Sequence, residues 1–283
     1  MKKTVAKSYA KINLSLDVLG KMDNGYHTVK MVMQTVSLFD LVTVSKAGQG
    51  VTVSTNLPFL PTDKNNIAYK AAEEFFNYTG IKAGVSIDIS KRIPVGAGLA
   101  GGSGNAAAVL KSMNKLFKTG LSLKELCSIG VKLGADVPYC ILGGTRLAEG
   151  IGDRLSPLPK MPLCSILLVK PAFSVSTKSV YEKIDSHQNY LHPDTDALIK
   201  GLHNGSLYEI SSSMRNVLEE VCLCDYPILT QVKQELCELG AIKSQMSGSG
   251  PTIFGIFENS EDAQNAKKVL WRKYKTVYIC SPV

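Results

Sequence analysis

Residues 94–107 read PVGAGLAGGSGNAA, and five of these fourteen residues are glycine. An apolar helical pattern follows directly, so the segment leads into the start of a helix. Glycine at such a place leaves backbone N–H groups open to an anion, at the positive end of the helix dipole. We therefore interpret the segment first as a phosphate-binding loop, in which Ser103 caps the helix or donates its hydroxyl. The alternative is a tight turn that packs a strand closely against a helix.

Three known phosphate-binding motifs do not fit this loop. No Gly-Lys-Ser/Thr ending follows it, as a P-loop requires. Gly96, Gly98 and Gly101 do spell G-x-G-x-x-G, but Lys-Arg-Ile-Pro separates the preceding strand from the first glycine. No strand ending in an acidic residue follows at the distance that a dinucleotide-binding unit needs. The D-F-G signature of protein kinases is also absent from the sequence.

A lysine and an aspartate are the residues best suited to handle a phosphoryl group. Residues 10–18, AKINLSLDV, alternate strictly, which predicts a half-buried strand with Lys11 and Asn13 on its polar face. Such a lysine grips an anionic substrate or simply faces solvent. Asp136 precedes Val-Pro, where a carboxylate acts either as a general base or as a helix N-cap. The local sequence favours the cap.

Tyr26 and His27 are candidates for holding a planar base. They follow Asp23-Asn24-Gly25, a turn signal that predicts a hairpin between two strands. An aromatic pair at the start of a strand suits stacking on a flat ring. Each residue alone is more often structural or exposed.

The remaining patterns predict the elements that must position these residues. Before the loop we expect strands at 10–18 and 27–38, a hairpin over 41–54, a helix over 66–79 and a strand over 84–90. After it we expect helices ending at 117 and near Gly134, the second one opened by a Ser122–Glu125 capping box. The proline-rich residues 156–162 are the best linker candidate. Beyond it lie a strand at 165–171, helices at 178–185, 194–203, 206–222, 227–239 and 261–273, a second glycine turn that feeds a strand, and a short final strand. The order is that of an α+β protein in two lobes.

Composition limits the class of protein. The 283 residues leave room for one large domain or two ordinary ones, and no apolar run reaches transmembrane length. The first residues lack the apolar core of a signal peptide. Seven scattered cysteines predict reduced thiols in a cytoplasmic protein rather than a zinc site. The net charge of +8 fits a solvated lysine-rich surface or an anionic substrate, and no basic run with interleaved aromatics suggests nucleic acid.

Taken together, the motifs resemble those of one family. The glycine loop, AKINLSLDV followed by NGYHTV, then GADVP and MSGSGP, is similar to the motif set of the GHMP kinases, which include galactose, homoserine and mevalonate kinases. The resemblance spans residues 6 to about 257. It implies an N-terminal lobe like the second domain of ribosomal protein S5 over 1–156, which binds ATP. It also implies a ferredoxin-like, substrate-binding lobe over 157–274, an active site between the lobes, and a last strand at about 275–283 that returns to the first lobe.

The resemblance also implies a reaction. GHMP kinases transfer the γ-phosphoryl group of ATP to an alcohol, with Mg²⁺ carried by the nucleotide and no protein metal ligand that we can name. The AKIN strand joined to NGYH resembles the branch that phosphorylates the 2-hydroxyl of a cytidine-diphosphate-linked methylerythritol in isoprenoid biosynthesis. We expect a small-molecule partner, with no nucleic acid and no membrane; the oligomeric state is left open. The alternatives are a kinase of the homoserine or mevalonate type and a silent nucleotide-binding regulator.

Site residues follow from the motifs, position by position. Asp136 matches the catalytic carboxylate, and Lys11 matches its charge partner, which keeps the carboxylate ionised and offsets charge in transit. The ATP loop comprises Pro94, Val95, Gly96, Ala97, Gly98, Leu99, Ala100, Gly101, Gly102, Ser103, Gly104 and Asn105. The substrate residues are Asn13, Tyr26, His27, Thr177 and Tyr181. The glycine turn that faces the cleft comprises Ser247, Gly248, Ser249 and Gly250.

Four positions depart from the family pattern. Ala97 and Ala100 stand where some relatives have glycine, and Tyr9 stands where proline is usual. Gly104 stands where many relatives have a second serine after Ser103. We expect weaker ATP binding from the missing hydroxyl at position 104.

Overall fold

The computed structural model describes residues 2–23, 25–186 and 190–283. The chain forms two compact units. Unit 1 consists of Met1–Ala10, Phe39–Ile93 and Ala100–Gly143, and unit 2 consists of Lys11–Leu38, Pro94–Leu99 and Gly144–Val283. The predicted boundary near residue 156 stays a prediction. None of the helices in the described ranges is long and apolar enough to cross a membrane.

Eleven strands and ten helices are present in these ranges. The strands are β1 (Lys3–Lys21), β2 (His27–Ala47), β3 (Val51–Thr55), β4 (Gly84–Ser90), β5 (Thr145–Glu149), β6 (Arg154–Pro157), β7 (Ser165–Val169), β8 (Arg215–Asn216), β9 (Lys243–Met246), β10 (Ile253–Phe257) and β11 (Val277–Cys280). The helices are α1 (Ile67–Thr79), α2 (Gly101–Phe117), α3 (Leu123–Gly130), α4 (Asp136–Leu142), α5 (Thr177–Ser186), α6 (Thr195–Asn204), α7 (Leu207–Ser213), α8 (Val217–Asp225), α9 (Pro227–Glu238) and α10 (Ser260–Tyr274).

Unit 1 packs helices α1 to α4 on a mixed sheet. β4 pairs antiparallel with residues 41–47 of β2 and parallel with β3. The apolar faces of these strands and helices form one core, which includes Val44, Phe75, Ile87, Leu110 and Met113. Since α2 presents its apolar stripe to this core, the glycine-rich start of α2 is held at a fixed place in unit 1.

The hairpin predicted over residues 41–54 is wrong. β2 and β3 do not pair with each other in the described residues, because β4 lies between them. The connection passes over the start of β4: Val85 N donates to Gly50 O at 2.9 Å, and a Cβ at Gly84 would lie 2.5 Å from the Gln49 carbonyl carbon. The turn signal therefore marks a connection between β2 and β3, which both pair with β4 and do not pair with each other.

Unit 2 contains a four-stranded antiparallel sheet with the order β11-β7-β10-β9. In the same unit, β1 pairs parallel with β8, and β2 pairs with β5, which in turn pairs with β6. After β11 the chain reaches residues 35–37 of β2: Ser37 N donates to Ser281 O at 2.9 Å, and Val283 N donates to Thr35 O at 3.0 Å. Within the four-stranded sheet, β9 and β10 are antiparallel neighbours, and residues 247–252 connect them.

Most predicted elements are present, with some further differences. α1, with its Asn66 and Gly80 caps, β4 and the α3 capping box agree with the predictions. The helix predicted over 206–222 is two helices, because β8 separates them and Ser206 and Asn216 each cap one. α3 ends at Gly130 rather than near Gly134. β9 and the β5–β6 hairpin were not predicted, and the proline-rich stretch begins inside β6. Of the predicted turn at 23–25, Asn24 lies outside the described residues.

Candidate active site

The first half of the glycine loop, residues 94–99, belongs to unit 2 and rests against the second glycine turn, Ser247–Gly250. Gly98 has φ +71°, and a Cβ there would lie 2.1 Å from Ser247 O. Ser247 Oγ donates to Gly98 O at 2.9 Å, so the Ser247 side chain holds the loop backbone to the turn. Only glycine fits position 98, since it supplies both the left-handed conformation and the missing side chain.

Lys11 lies beside the same turn. Its Nζ donates to Asn13 Oδ1 at 2.7 Å, and its backbone N donates to Leu99 O at 3.2 Å. A Cβ at Gly248 would lie 3.2 Å from Lys11 Nζ, so the ammonium group borders the turn backbone. Within unit 2, Lys11, Asn13, Gly98 and the second glycine turn thus form one cluster.

The prediction that β1 is half-buried is wrong. The face predicted to be polar and open carries Lys11 at 5%, Asn13 at 0%, Ser15 at 0% and Asp17 at 5% exposure. Their polar groups are hydrogen-bonded instead: Ser15 Oγ, for example, accepts from Val32 N at 3.2 Å. A buried ammonium group is costly unless it is paired, so Lys11 is unlike an ordinary surface lysine.

The second half of the loop forms the start of α2 in unit 1. Its N-cap is Ala100, with φ 54°, which makes no side-chain capping hydrogen bond. The interpretation of Ser103 as a cap is therefore wrong, because Ser103 lies within the first turn. The first N–H groups of a helix have no partner inside the helix and attract anions. Lys91 Nζ lies 3.2 Å from where a Cβ of Gly101 would be, and its charge is balanced by an ion pair with Asp40.

A buried polar network fixes this half of the loop. Asn105 Nδ2 donates to Asp40 Oδ2 at 2.9 Å and to Ser8 Oγ at 3.0 Å, and Asn105 Oδ1 accepts from Lys91 Nζ at 3.1 Å. Asp40, which is fully buried, also accepts from the backbone N–H groups of residues 92 and 93, at 2.6 and 2.8 Å. The Asp40 carboxylate thus bonds both to residues 92 and 93, which precede the loop, and to Asn105, which follows its last glycine.

Sequence reasoning missed Asp40, and its signal was weak. The residue stands in the apolar run SLFDLVTV, where a lone carboxylate contradicts a core strand. Such a residue is buried only with partners, but the sequence did not indicate which ones. Asn105 was predicted as an ATP-loop residue, and that role stays a prediction; the structure adds that its side-chain amide serves the network.

The space around Gly104 does not support the expected effect of the missing serine. A Cβ at this residue would lie 2.7 Å from Ser8 Oγ and 3.2 Å from Tyr9 O. A side chain at position 104 would therefore point into β1. Glycine here allows close packing of α2 on β1.

Asp136 is the first residue of α4, and Ala135 is the N-cap. The interpretation of Asp136 as a helix cap is therefore wrong. Asp136 thus lies at the positive end of the α4 helix dipole, where a negatively charged group is stabilised. Asp136 is partly exposed, as a residue that meets a substrate must be.

His27 is held by an acidic partner in unit 2. His27 Nε2 lies 2.6 Å from Asp185 Oδ1, and Lys21 Nζ donates to Asp185 Oδ2 at 2.6 Å. The hydrogen bond from Lys21, followed by that from His27, lowers the pKa of the Asp185 carboxyl. The His27 ring lies 4.8 Å from the Tyr181 ring between centroids, with a 33° tilt, whereas Tyr26 is 59% exposed. The predicted stacking between Tyr26 and Tyr181 stays a prediction.

A cavity of about 470 Å³ adjoins His27. This volume is typical of a pocket for a small molecule. Its lining residues are Val18, Gly20, Lys21, His27, Ile184, Asp185, Tyr190 and His192. Thr177, at the start of α5, contacts the second glycine turn through a 2.8 Å hydrogen bond between its hydroxyl and that of Ser249.

Two family descriptions match the chain. Residues 66–144 match the GHMP kinases N terminal domain, and residues 198–276 match the GHMP kinases C terminal domain. A 4-diphosphocytidyl-2-C-methyl-D-erythritol kinase from Clostridium kluyveri is 48% identical over 98% of this chain and 99% of its own length. The chain belongs to the 4-diphosphocytidyl-2-C-methyl-D-erythritol kinase family, a branch of the GHMP kinases. It is accordingly an ATP-dependent kinase.

Solved structures agree with membership of this kinase family. A crystal structure of a 4-(cytidine 5'-diphospho)-2C-methyl-D-erythritol kinase matches with a TM-score of 0.85 and 30% identity over 99% of each chain. A homoserine kinase from Cytophaga hutchinsonii matches with a TM-score of 0.74 at 21% identity, over 98% of this chain and 93% of that one, which shows a shared fold alone. The α+β GHMP kinase fold predicted from the motifs is confirmed.

Proposed function

We propose that the chain transfers the γ-phosphoryl group of ATP to the 2-hydroxyl of 4-diphosphocytidyl-2-C-methyl-D-erythritol, giving the 2-phosphate and ADP. This reaction belongs to the non-mevalonate route to isoprenoid precursors. The observation that carries the proposal is near-full-length identity of 48% to a kinase named for this acceptor. The alternatives, a homoserine or mevalonate type of kinase and a silent regulator, have no comparable support.

In this proposal Asp136 is the general base. Its carboxylate accepts the proton of the 2-hydroxyl as that oxygen forms a bond to the γ-phosphorus, and the bond to the bridging oxygen of ADP breaks. Lys11 supplies positive charge that offsets the negative charge of the moving phosphoryl group. The burial of Lys11 and its bond to Asn13 support this role, because both restrict its ammonium group to one place.

The glycine loop is the proposed ATP phosphate site. Support comes from the start of α2, where the N-cap residue Ala100 makes no side-chain capping hydrogen bond, because the first N–H groups of such a helix attract an anion. Mg²⁺ is proposed as an ion carried by the nucleotide, where it neutralises phosphate charge. Mg²⁺ binds readily to phosphates and water, so the nucleotide itself can supply most of its ligands.

The cytidine and erythritol parts are assigned to Asn13, Tyr26, His27, Thr177 and Tyr181. The aromatic contact of His27 with Tyr181 and the adjoining cavity support a site for a flat ring with a polar edge. A cytoplasmic location is proposed because the described cysteines are free thiols, as a reducing compartment favours.

An assay of ADP release decides the proposal. The cytidine diphosphate substrate should be phosphorylated far better than free methylerythritol, homoserine or mevalonate. Preference for any of the latter three would refute the assigned acceptor. Asp136→Asn should lower kcat by about 10²- to 10⁴-fold, the usual contribution of a general base, while nucleotide affinity changes only a few-fold. Full activity of Asp136→Asn would remove this residue from the role of base.

A further inference from the structure

Asn216 connects three elements of unit 2 through one buried side chain. It ends β8 at the position opposite Leu16 of β1, and it is 1% exposed. Its Oδ1 accepts from Leu218 N at 3.1 Å, which caps α8. Its Nδ2 donates to Met246 O at 2.9 Å and to Gly248 O at 2.8 Å. An asparagine amide has two N–H donors, and here one serves the last residue of β9 and the other serves the second glycine turn.

The place of this turn determines the space around Lys11. A Cβ at Gly248 would lie 3.2 Å from Lys11 Nζ and 3.5 Å from Asn13 Oδ1. From the other side, Gln245 Nε2 donates to Asn13 O at 3.0 Å and to Leu14 O at 3.1 Å, which fixes the preceding strand β9 to β1. A movement of the Gly248 carbonyl would therefore move the wall against which the Lys11 ammonium group lies.

We propose that Asn216 is a positioning residue for phosphoryl transfer, which holds the second glycine turn so that Lys11 keeps its working orientation. The inference rests on the proposed role of Lys11. Asn216 itself acts from behind the turn and touches neither substrate in this account. Since the geometry of reacting groups must be kept within about an ångström, a small shift of the turn has a large kinetic effect.

Asn216→Asp isolates this role from helix capping. Aspartate is as good an N-cap as asparagine, so α8 keeps its cap. A carboxylate, however, has no hydrogen to give, and it would face the carbonyl oxygens of Met246 and Gly248. The carboxylate would repel these carbonyl oxygens, so the second glycine turn would no longer be held in place.

Asn114→Asp is the matched control. Asn114 Nδ2 donates to Leu121 O at 2.8 Å and its Oδ1 accepts from Leu121 N at 3.0 Å, so it also fixes a loop by its amide. That loop follows the C-terminal end of α2, and we assign no functional residue to it. The same chemical change there should leave kcat within about twofold of the wild-type value, since positioning of the reacting groups is unaffected.

The experiment is a double-mutant cycle on kcat with Lys11→Met, supported by thermal unfolding of each variant. Asn216→Asp should lower kcat between about ten- and a hundredfold in the wild-type background. It should lower kcat less than about twofold in the Lys11→Met background, because a residue that acts through Lys11 has nothing left to position. Equal losses in both backgrounds, or wild-type kcat in Asn216→Asp, would overturn the inference.

Two further results separate this inference from the proposed function. An impaired Lys11→Met enzyme together with a normal Asn216→Asp enzyme refutes the inference alone. Full activity of Lys11→Met refutes the role of Lys11, and the inference with it, while preference for the cytidine substrate would still support the kinase assignment. If Asn216→Asp does not fold, Asn216→Ser carries the test, since serine also caps a helix but has only one O–H donor for the two carbonyl oxygens that Asn216 Nδ2 now serves, and it should reduce kcat in the same Lys11-dependent way.

Discussion

Lys91 and Asp40 form an ion pair that is closed off from water beneath the glycine loop, with side chains only 5% and 0% exposed. The same carboxylate accepts the backbone N–H groups of Arg92 and Ile93. The pair is therefore part of the loop framework and differs from a surface ion pair.

Neutralising one member of this ion pair should lower the stability of the folded protein. Asp40→Asn leaves the Lys91 ammonium group buried without its counter-charge, and the free energy of unfolding should fall by about 3–5 kcal/mol. The double variant Asp40→Asn with Lys91→Met removes the stranded charge and should recover part of this loss. Urea unfolding measures both. As a control, Glu74→Gln at the exposed Lys132–Glu74 pair, 3.5 Å apart, should cost less than about 1 kcal/mol. Similar costs at the two pairs would contradict the burial argument.

Gly104→Ser should lower stability without improving ATP binding. Its Cβ would lie 2.7 Å from Ser8 Oγ, and overpacking of this kind costs about 1–3 kcal/mol. Adding Ser8→Ala should relieve part of the cost, because the atom in contact is then absent. Thermal unfolding and the KM for ATP are the measurements. A lower KM for ATP in Gly104→Ser would show that the hydroxyl reaches the nucleotide after all.

Gly98→Ala should disturb ATP binding much more than a comparable change elsewhere. Its Cβ would collide with Ser247 O, so the loop must move. Gly80, the C-cap of α1, has a similar φ of 69° but nothing within 4 Å of its Cβ position. Gly80→Ala therefore reports the backbone strain alone, about 1–2 kcal/mol. We expect a KM for ATP raised at least about tenfold in Gly98→Ala, as for a misplaced binding group, and an unchanged KM in Gly80→Ala. Equal KM values in the two variants would refute the contact argument.

The Asp185 cluster should make stability depend on pH in one direction. Lys21 and His27 lower the pKa of the folded-state carboxyl below its unfolded value. The stabilisation is therefore present above about pH 4, the unfolded value, and is lost as the pH falls through the folded pKa. Asp185→Asn should be less stable than the wild type at pH 7, and the difference should shrink towards pH 3 in urea unfolding. Asp196→Asn, at an 84% exposed partner of Lys30, should show little change with pH. A constant difference for Asp185→Asn would exclude this linkage.

The sequence predicted elements whose boundaries are local. Asn66 and Gly80 delimit α1, and Ser122 with Glu125 opens α3, because caps depend on neighbours three or four residues away. The glycine loop leading into α2 was found for the same reason.

Features that depend on distant partners were not predictable in this way. Alternation in β1 indicated one apolar face, but only the fold shows that Gln245 and the β2 residues cover the other. The pairing of β3 with β4 is decided by competition between strands, which a turn signal does not report. Asn216 interrupts an apparently continuous helical pattern because it pairs with β1 and caps α8 at once.

The contact of Gly98 with Ser247 joins positions 149 residues apart in the chain. In addition, a Cβ at Gly98 would lie 2.1 Å from Ser247 O, so the loop backbone has no room to shift towards the turn. A residue inserted into either glycine segment would have to be accommodated by both. Engineers who vary one of these loops, for instance to accept another nucleotide, should redesign the pair together.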